Sequence, residues 1–403
     1  MKLHISIIAI IFGLLLLGCE DDHPGSLFDP DDRGGEPPVI SEVDPPDGSL
    51  AAIGIVRVMG ENFSPVPHEN MVYIGKKDGK VLEASESELK VQAPNELGDS
   101  LKLRVSVAGA LDFSNPVMYS LEPAVESHPS IDENLRPWSS TTDGEGNLYV
   151  SLSRGGQSEG IQKITPDGEV SEYVPPRILR YDGMKMGPGG YMYLCRNIHL
   201  IARVPPGGGQ EENWLPFTPG DRIFDMDFDE YGNLWAVGNN DVIFRVDTEE
   251  GEYVEFPFDA RSRSVRYYDG YLYISAITEA NGGERSDIWR LPVDGNGEPG
   301  EAEIYFDFSN VYDYNEATAY AITFSEAGEL FIGTDGEPGI ILVSPDKEWE
   351  PFYEEVMTPR GMYFSWGEGP YMYYTRGSTD DYEQELHIIH TQRESAPYYG
   401  VIH

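Results

Sequence analysis

Arginine recurs at the head of short apolar runs in the C-terminal two-thirds of this chain. The stretches are LRPWSS (Arg136), LRYDG (Arg180), DRIFDMD (Arg222), SRSVRYY (Arg263 and Arg266) and PRGMYF (Arg360). In one further run, AYAITF, Tyr320 takes the place. With 28 Lys+Arg against 70 Asp+Glu and a formal net charge of −42, the chain is poor in base, so a repeated guanidinium needs a reason. Each guanidinium offers a planar fork of N–H donors that suits a carboxylate or another anion. Tyr181, Tyr267, Tyr268 and Tyr320 stand beside them with flat faces for stacking on a sugar or an aromatic group. The expected ligand-binding set is Arg136, Arg180, Tyr181, Arg222, Arg266, Tyr320 and Arg360. The competing reading pairs the same arginines with Asp182, Asp225 or Asp227 as staples between repeats.

The carboxylates suggest a second chemistry. Asp225 and Asp227 in DRIFDMD, with Glu316, supply hard oxygen donors of the kind that hold Ca²⁺ or Mg²⁺, and Asp225 and Asp227 are the candidate metal ligands. Asp294, Asn296 and Glu298 alternate in DGNGEPGE but lack the rest of a calcium loop, and a solvated acidic turn is expected there. Cys195, inside the apolar run YMYLCRN, is expected to be a buried free thiol with no disulfide. No phosphate loop, zinc pattern or activated Ser/Cys motif is present.

What must position these residues is a repeat. A tight polar turn followed by an aromatic-bearing strand is written six times: GNLYVS (Tyr149), GYMYLC (Tyr193), GNLWAV (Trp235), GYLYIS (Tyr273), GELFIG (Phe331) and PYMYYT (Tyr373). The spacing is about forty residues, with one longer gap, and a strand-only period of that length is the signature of a β-propeller blade. Such a blade cannot bury both faces alone, so blades must stack around an axis. Six units predict six blades, with the long gap read as extra loops on the fourth. The arginines then head the innermost strands, near one mouth of the central channel. APYYGV near the C-terminus reads as the last blade's own final strand, so that no N-terminal strand is borrowed to close the ring.

These units resemble the NHL-repeat and virginiamycin-B-lyase-like propellers, whose blades read D-x-x-G-N-[LI]-[WY]-[VA] and then I-x-[KR]-[IV]-x-P-x-G. The resemblance implies a six-bladed propeller; its families include enzymes, receptors and scaffolds. A lyase of that type uses a histidine general base, a glutamate and magnesium. His128, His199, His387, His390 and His403 all fall outside the channel strands, a departure from that pattern. Lactonase-like relatives place Glu, Asn and Asp around one divalent cation, and here only Asp225, Asp227 and Glu316 are available.

Ahead of the repeats, residues 39–122 carry six or seven short alternating runs separated by Gly/Pro/Asn turns, the pattern of a β-sandwich. The pieces DPPDG, GENFS, VYIG, SESELKVQAP and SNPVMYSL resemble the IPT/TIG immunoglobulin-like family, whose domains serve as spacers or docking modules. The first residues read as a targeting segment: Lys2, an apolar run Ile5–Leu17, then LLGC ending at Cys19. LLGC resembles a bacterial lipoprotein box, which implies cleavage before Cys19 and lipid on that residue. The acidic, Gly/Pro-rich stretch that follows reads as a tether and resembles a surface-export signal; a periplasm-facing anchor is equally compatible.

The expected organisation is therefore all-β: a signal peptide (1–18), a flexible tether (19–38), an Ig-like sandwich (39–122) and a six-bladed propeller (123–403). A surface this acidic repels phosphate backbones, which excludes nucleic acid as a partner. The expected function is a membrane-anchored, surface-exposed envelope protein whose propeller binds a glycan, a peptide, a small anion or another envelope protein. The alternative is a metal-dependent propeller hydrolase or lyase.

Overall fold

A computed structural model describes residues 34–177, 180–280, 283–313, 316–354, 356–357, 360–378 and 383–402. The signal peptide, Cys19 and most of the tether lie outside the described residues. The chain forms two compact units that divide between Leu121 and Glu122, with Leu50–Ile53 grouped with the second.

The first unit is an antiparallel sandwich. Val39–Asp44, Ile55–Glu61 and Glu88–Gln92 pair in one layer; Asn70–Ile74, Gly98–Val107 and Val117–Glu122 pair in the other. Period-2 alternation sends Val56, Val58, Val72, Ile74, Leu89, Val91, Leu103 and Val105 into a fully buried core. Its signature residues have physical jobs. Gly60 in G-x-N-F lies against the Val39 carbonyl, where a Cβ would come within 1.9 Å. Asn62 adopts φ 63° and donates to the Pro37 carbonyl, and Phe63 is buried. In SNP, the Ser114 hydroxyl accepts from the Val105 N–H, while the Asn115 amide bonds both backbone groups of Ile40.

The second unit is six four-stranded sheets, as the repeat predicts. The innermost strands are Arg136–Thr142, Gly183–Met186, Ile223–Phe228, Arg261–Tyr268, Ala319–Phe324 and Gly361–Trp366. All six repeat aromatics fall on the second strands of their blades. The recurring turn is held by its aspartate. Asp229 accepts from the N–H groups of Tyr231 and Asn233, from the Asn233 amide and from the Trp235 indole at 3.0 Å. Asp143 repeats this with Asn147 and the Tyr149 hydroxyl. The D-x-x-G-N-L-[YW] motif is thus one hydrogen-bonded unit: an Asx turn whose carboxylate also anchors the aromatic's polar tip. Asp294 builds the same turn, accepting from Asn296 and Glu298 N–H groups, and Arg245 caps its carbonyls.

Apolar clusters lie between blades rather than within them. Tyr193, Phe228, Leu234 and Phe244 join blades two and three; Tyr273, Ile322, Phe324 and Ile341 join four and five. Each remaining interface has its own cluster, and Leu135, Leu148 and Leu386 bridge the first and last blades.

Ring closure differs from the expectation. The outermost strand of the last blade is Val125–Ser127, paired antiparallel with Glu385–His390, so the N-terminal end of the propeller does close the ring. APYYGV is not a strand. It leads into a helical turn, Tyr399–Ile402, whose neighbour Tyr398 bonds the Phe324 N–H at 2.7 Å and the Thr323 hydroxyl at 2.6 Å. Gly400 sits so close to Met186 that a Cβ would lie 2.6 Å from its carbonyl oxygen. This segment lines one end of the channel with Thr142, Lys185, Asp227 and Arg266, and stops it.

Candidate functional site

The other end of the channel is open, and a single backbone device shapes it. Five innermost strands carry a β-bulge near their start, where one strand gains residues without a partner. The register shifts fall between Pro137 and Ser140, Ile223 and Asp225, Ser262 and Ser264, Ala319 and Ala321, and Gly361 and Tyr363. A bulge re-aims its side chain. The residues so displaced include Trp138, Phe224, Arg263, Tyr320 and Met362, and all five line one depression of about 200 Å³. Asp182, just ahead of the second blade's strand, completes that ring, with Arg180 and Asn197 beside it.

Aromatic rings and charged groups share the walls, and the charges are unevenly matched. Arg180 lies 3.5 Å over the Trp138 ring and 3.3 Å from the Asp182 carboxylate. The Trp138 indole is fixed by donating to the Ser153 hydroxyl at 2.8 Å. Burial pushes the Asp182 carboxyl up from its ordinary range, against the pull of Arg180. Arg263 sits between rings, 5.2 Å from Phe224 and 5.7 Å from Tyr320. Its Nε is buried, and it has no hydrogen bond or ion pair among the described residues. The Asn197 Oδ1 is likewise buried with no partner.

The floor is a polar layer across the channel. Asp225 Oδ2 accepts from Arg266 at 2.8 Å, from the Ser264 hydroxyl at 2.6 Å and from the Val265 N–H at 3.2 Å. Tyr363, reaching from the sixth blade, donates to Asp225 Oδ1 at 3.2 Å and accepts from the Met184 N–H. Beneath it, Lys185 lies 3.7 Å from Asp227, which accepts from the Tyr267 N–H. Burial opposes the charge of Arg266, but Asp225 and Asp227 outweigh it and hold its pKa above the ordinary value. Burial and then Arg266 push Lys185 down.

The expected arginine circle is therefore only partly at the mouth. Arg180 and Tyr320 line it, and Arg360 is close enough to Tyr320 to bear on its hydroxyl. Arg136 turns to Glu383 at 2.7 Å, and Arg222 is exposed without lining the depression. Arg266 is 1% exposed and belongs to the floor, as the staple reading has it. Tyr181 is fully buried between blades one and two, under Arg196, and cannot stack on a ligand at the mouth. Asp225 and Asp227 do not fit a divalent cation. Their oxygens are occupied by hydrogen-bond donors, and each already faces a buried cationic side chain. Among the described residues no group of three or more His, Cys, Asp or Glu is placed to hold a metal.

Arg263, Trp138, Phe224, Met362 and Asn197 were outside the expected set. A signal existed: aligned on the inner strands, Trp138, Asp182, Phe224, Arg263, Tyr320 and Met362 share one column, two residues after Arg136, Arg180, Arg222, Arg261, Thr318 and Arg360. The true rim arginine of blade four is Arg261, which pairs with Glu284.

Residues 38–121 match the IPT/TIG domain family. They are an IPT/TIG domain. The chain is similar in fold to an auxiliary nutrient binding protein from Bacteroides thetaiotaomicron VPI-5482, at 14% identity and TM-score 0.50, over 90% of this chain and 98% of that one. A second auxiliary nutrient binding protein, from Bacteroides ovatus ATCC 8483, gives 14% identity and TM-score 0.49 over 90% and 99%. Virginiamycin B lyase from Staphylococcus aureus gives 16% identity and TM-score 0.44 over 65% of this chain and 87% of that one. No curated protein matches the chain significantly.

Proposed function

We propose that the chain is a cell-envelope lipoprotein that captures a ligand, a glycan, peptide or small anion, at the open mouth of its propeller. In this reading Cys19 carries the lipid, the acidic tether and the IPT/TIG domain act as spacers, and the outer membrane surface is the site of action. No helix among the described residues is long and apolar enough to cross a membrane; in this reading the chain is held by the lipid on Cys19. The observation that carries the binding role is the convergence of five bulged positions on one aromatic-walled depression above a closed, self-neutralised floor. Pockets of this kind, apolar walls with a few placed polar groups, are where ligands are held. The fold likeness to a protein named for auxiliary nutrient binding is in keeping with it.

The test is a calorimetric screen of glycans, peptides and small anions on the soluble chain from Gly25 onward. A hit whose affinity falls at least tenfold, about 1.4 kcal/mol, on Trp138→Ala and on Tyr320→Ala supports the reading. Binding that ignores both substitutions places the site elsewhere and overturns it.

A further inference from the structure

The polar groups of the mouth narrow the ligand's chemistry. Arg180 is matched by Asp182, and Arg266 by Asp225. Arg263 has no such partner among the described residues, although its Nε is shut away from water. A buried donor left unmade is costly unless something supplies the missing acceptor, and the rest of the partly exposed guanidinium lines the depression. The same depression holds an acceptor in want of a donor, Asn197 Oδ1. A phosphate dianion would bring two charges to one unmatched cation. A carboxylate brings one, in the planar shape that a guanidinium fork receives. The flanking rings of Trp138, Phe224 and Tyr320 offer flat apolar faces, and about 200 Å³ has room for a ring-sized group.

We propose that the mouth selects a hydroxy-carboxylate of sugar size, an acidic sugar such as a uronic acid, with its carboxylate on the accessible part of the Arg263 guanidinium and its hydroxyls beside the Asn197 side chain. This rests on the mouth being the binding site. Arg263 would then be the specificity-determining residue and the aromatic walls the sequence-tolerant platform. Of the rim arginines, Arg136, Arg180 and Arg261 would contribute little, because they already face acidic partners.

The experiment titrates the soluble chain with D-glucuronate and D-galacturonate, and with D-glucose and D-galactose as neutral counterparts, each up to ~10 mM. The uronates are expected to bind at least tenfold more tightly than the neutral sugars. Arg263→Met should weaken them about 10- to 100-fold, as for loss of a charge-assisted hydrogen bond, and Arg263→Lys should restore part of that. Melting of both variants should stay near that of the parent, since Arg263 gives up no internal bond. Uronates and neutral sugars binding alike, or uronate binding indifferent to Arg263→Met, would overturn the carboxylate assignment. If affinity still depended on Trp138 and Tyr320, capture at the mouth would survive that result. Absence of uronate binding while another probe class binds at the mouth would overturn it in the same way.

Discussion

Arg266→Met is the substitution whose cost follows most directly from the channel floor. Arg266 and Asp225 are 1% and 2% exposed at their side chains and 2.8 Å apart. Removing the guanidinium leaves Asp225 ionised in the interior, held only by Ser264, Val265 and Tyr363. Breaking one side of a buried ion pair costs about 3–5 kcal/mol, because the remaining charge is uncompensated. For a unit of this length each kcal/mol moves Tm by roughly 2–3 °C, so a fall of about 6–15 °C is expected. Near-UV circular dichroism on heating would follow it, since buried aromatic rings pack in five of the six blade interfaces. The double variant Arg266→Met with Asp225→Asn should lose less than the sum of the single losses, by more than about 1 kcal/mol. A single-variant loss below about 1 kcal/mol, the worth of an exposed pair, would refute the view that this layer is a desolvated structural floor.

Acid should loosen the ring at its closure. Burial pushes both His128 and His387 down to about 4 from an ordinary 6.5, in His387 with help from Arg376 and against Glu385. Their neutral forms are the folded forms, so their stabilisation is full above pH 6.5 and drains as pH falls towards 4, by up to about 3 kcal/mol each. Hydrogen exchange between pH 7 and pH 4.5 should show the pairing of Val125–Ser127 with Glu385–His390 losing protection first; uniform loss across the blades would count against it. The closure itself makes a further prediction. A propeller beginning at Glu122 should melt several degrees above one beginning at Pro129, which lacks the strand that completes the last blade. Equal melting would mean that Val125–Ser127 does not close the ring.

Much of this architecture is legible in the residues, for reasons that differ between elements. The blade count reads directly because Asp143 and Asp229 must each cap a turn and anchor an aromatic, which forces a recurring spelling. The sandwich reads for a similar reason: Gly60, Ser114 and Asn115 are dictated by backbone contacts. Closure does not read, because Val125–Ser127 is three residues pairing with a strand about 260 positions away, a span no local pattern records. APYYGV alternates like a strand, yet the Tyr398 hydroxyl and the absence of a Cβ at Gly400 fit it to the channel end. The residues that line the depression stand two positions beyond the recurring arginines. Arginine marks the rim, but the bulges turn the next-but-one residue inward, and a bulge is a change of register that composition conceals. Arg263 and Arg266 stand three apart on one strand, and one faces the depression while the other belongs to its floor.

A crystal structure of the soluble chain with the ligand found by the binding screen tests ligand capture at the propeller mouth most directly. Electron density lodged between Trp138 and Tyr320, in contact with Arg263, is the expected outcome. Density at the end stopped by Tyr399–Ile402, or on the IPT/TIG sheets with the mouth holding only water, would contradict it.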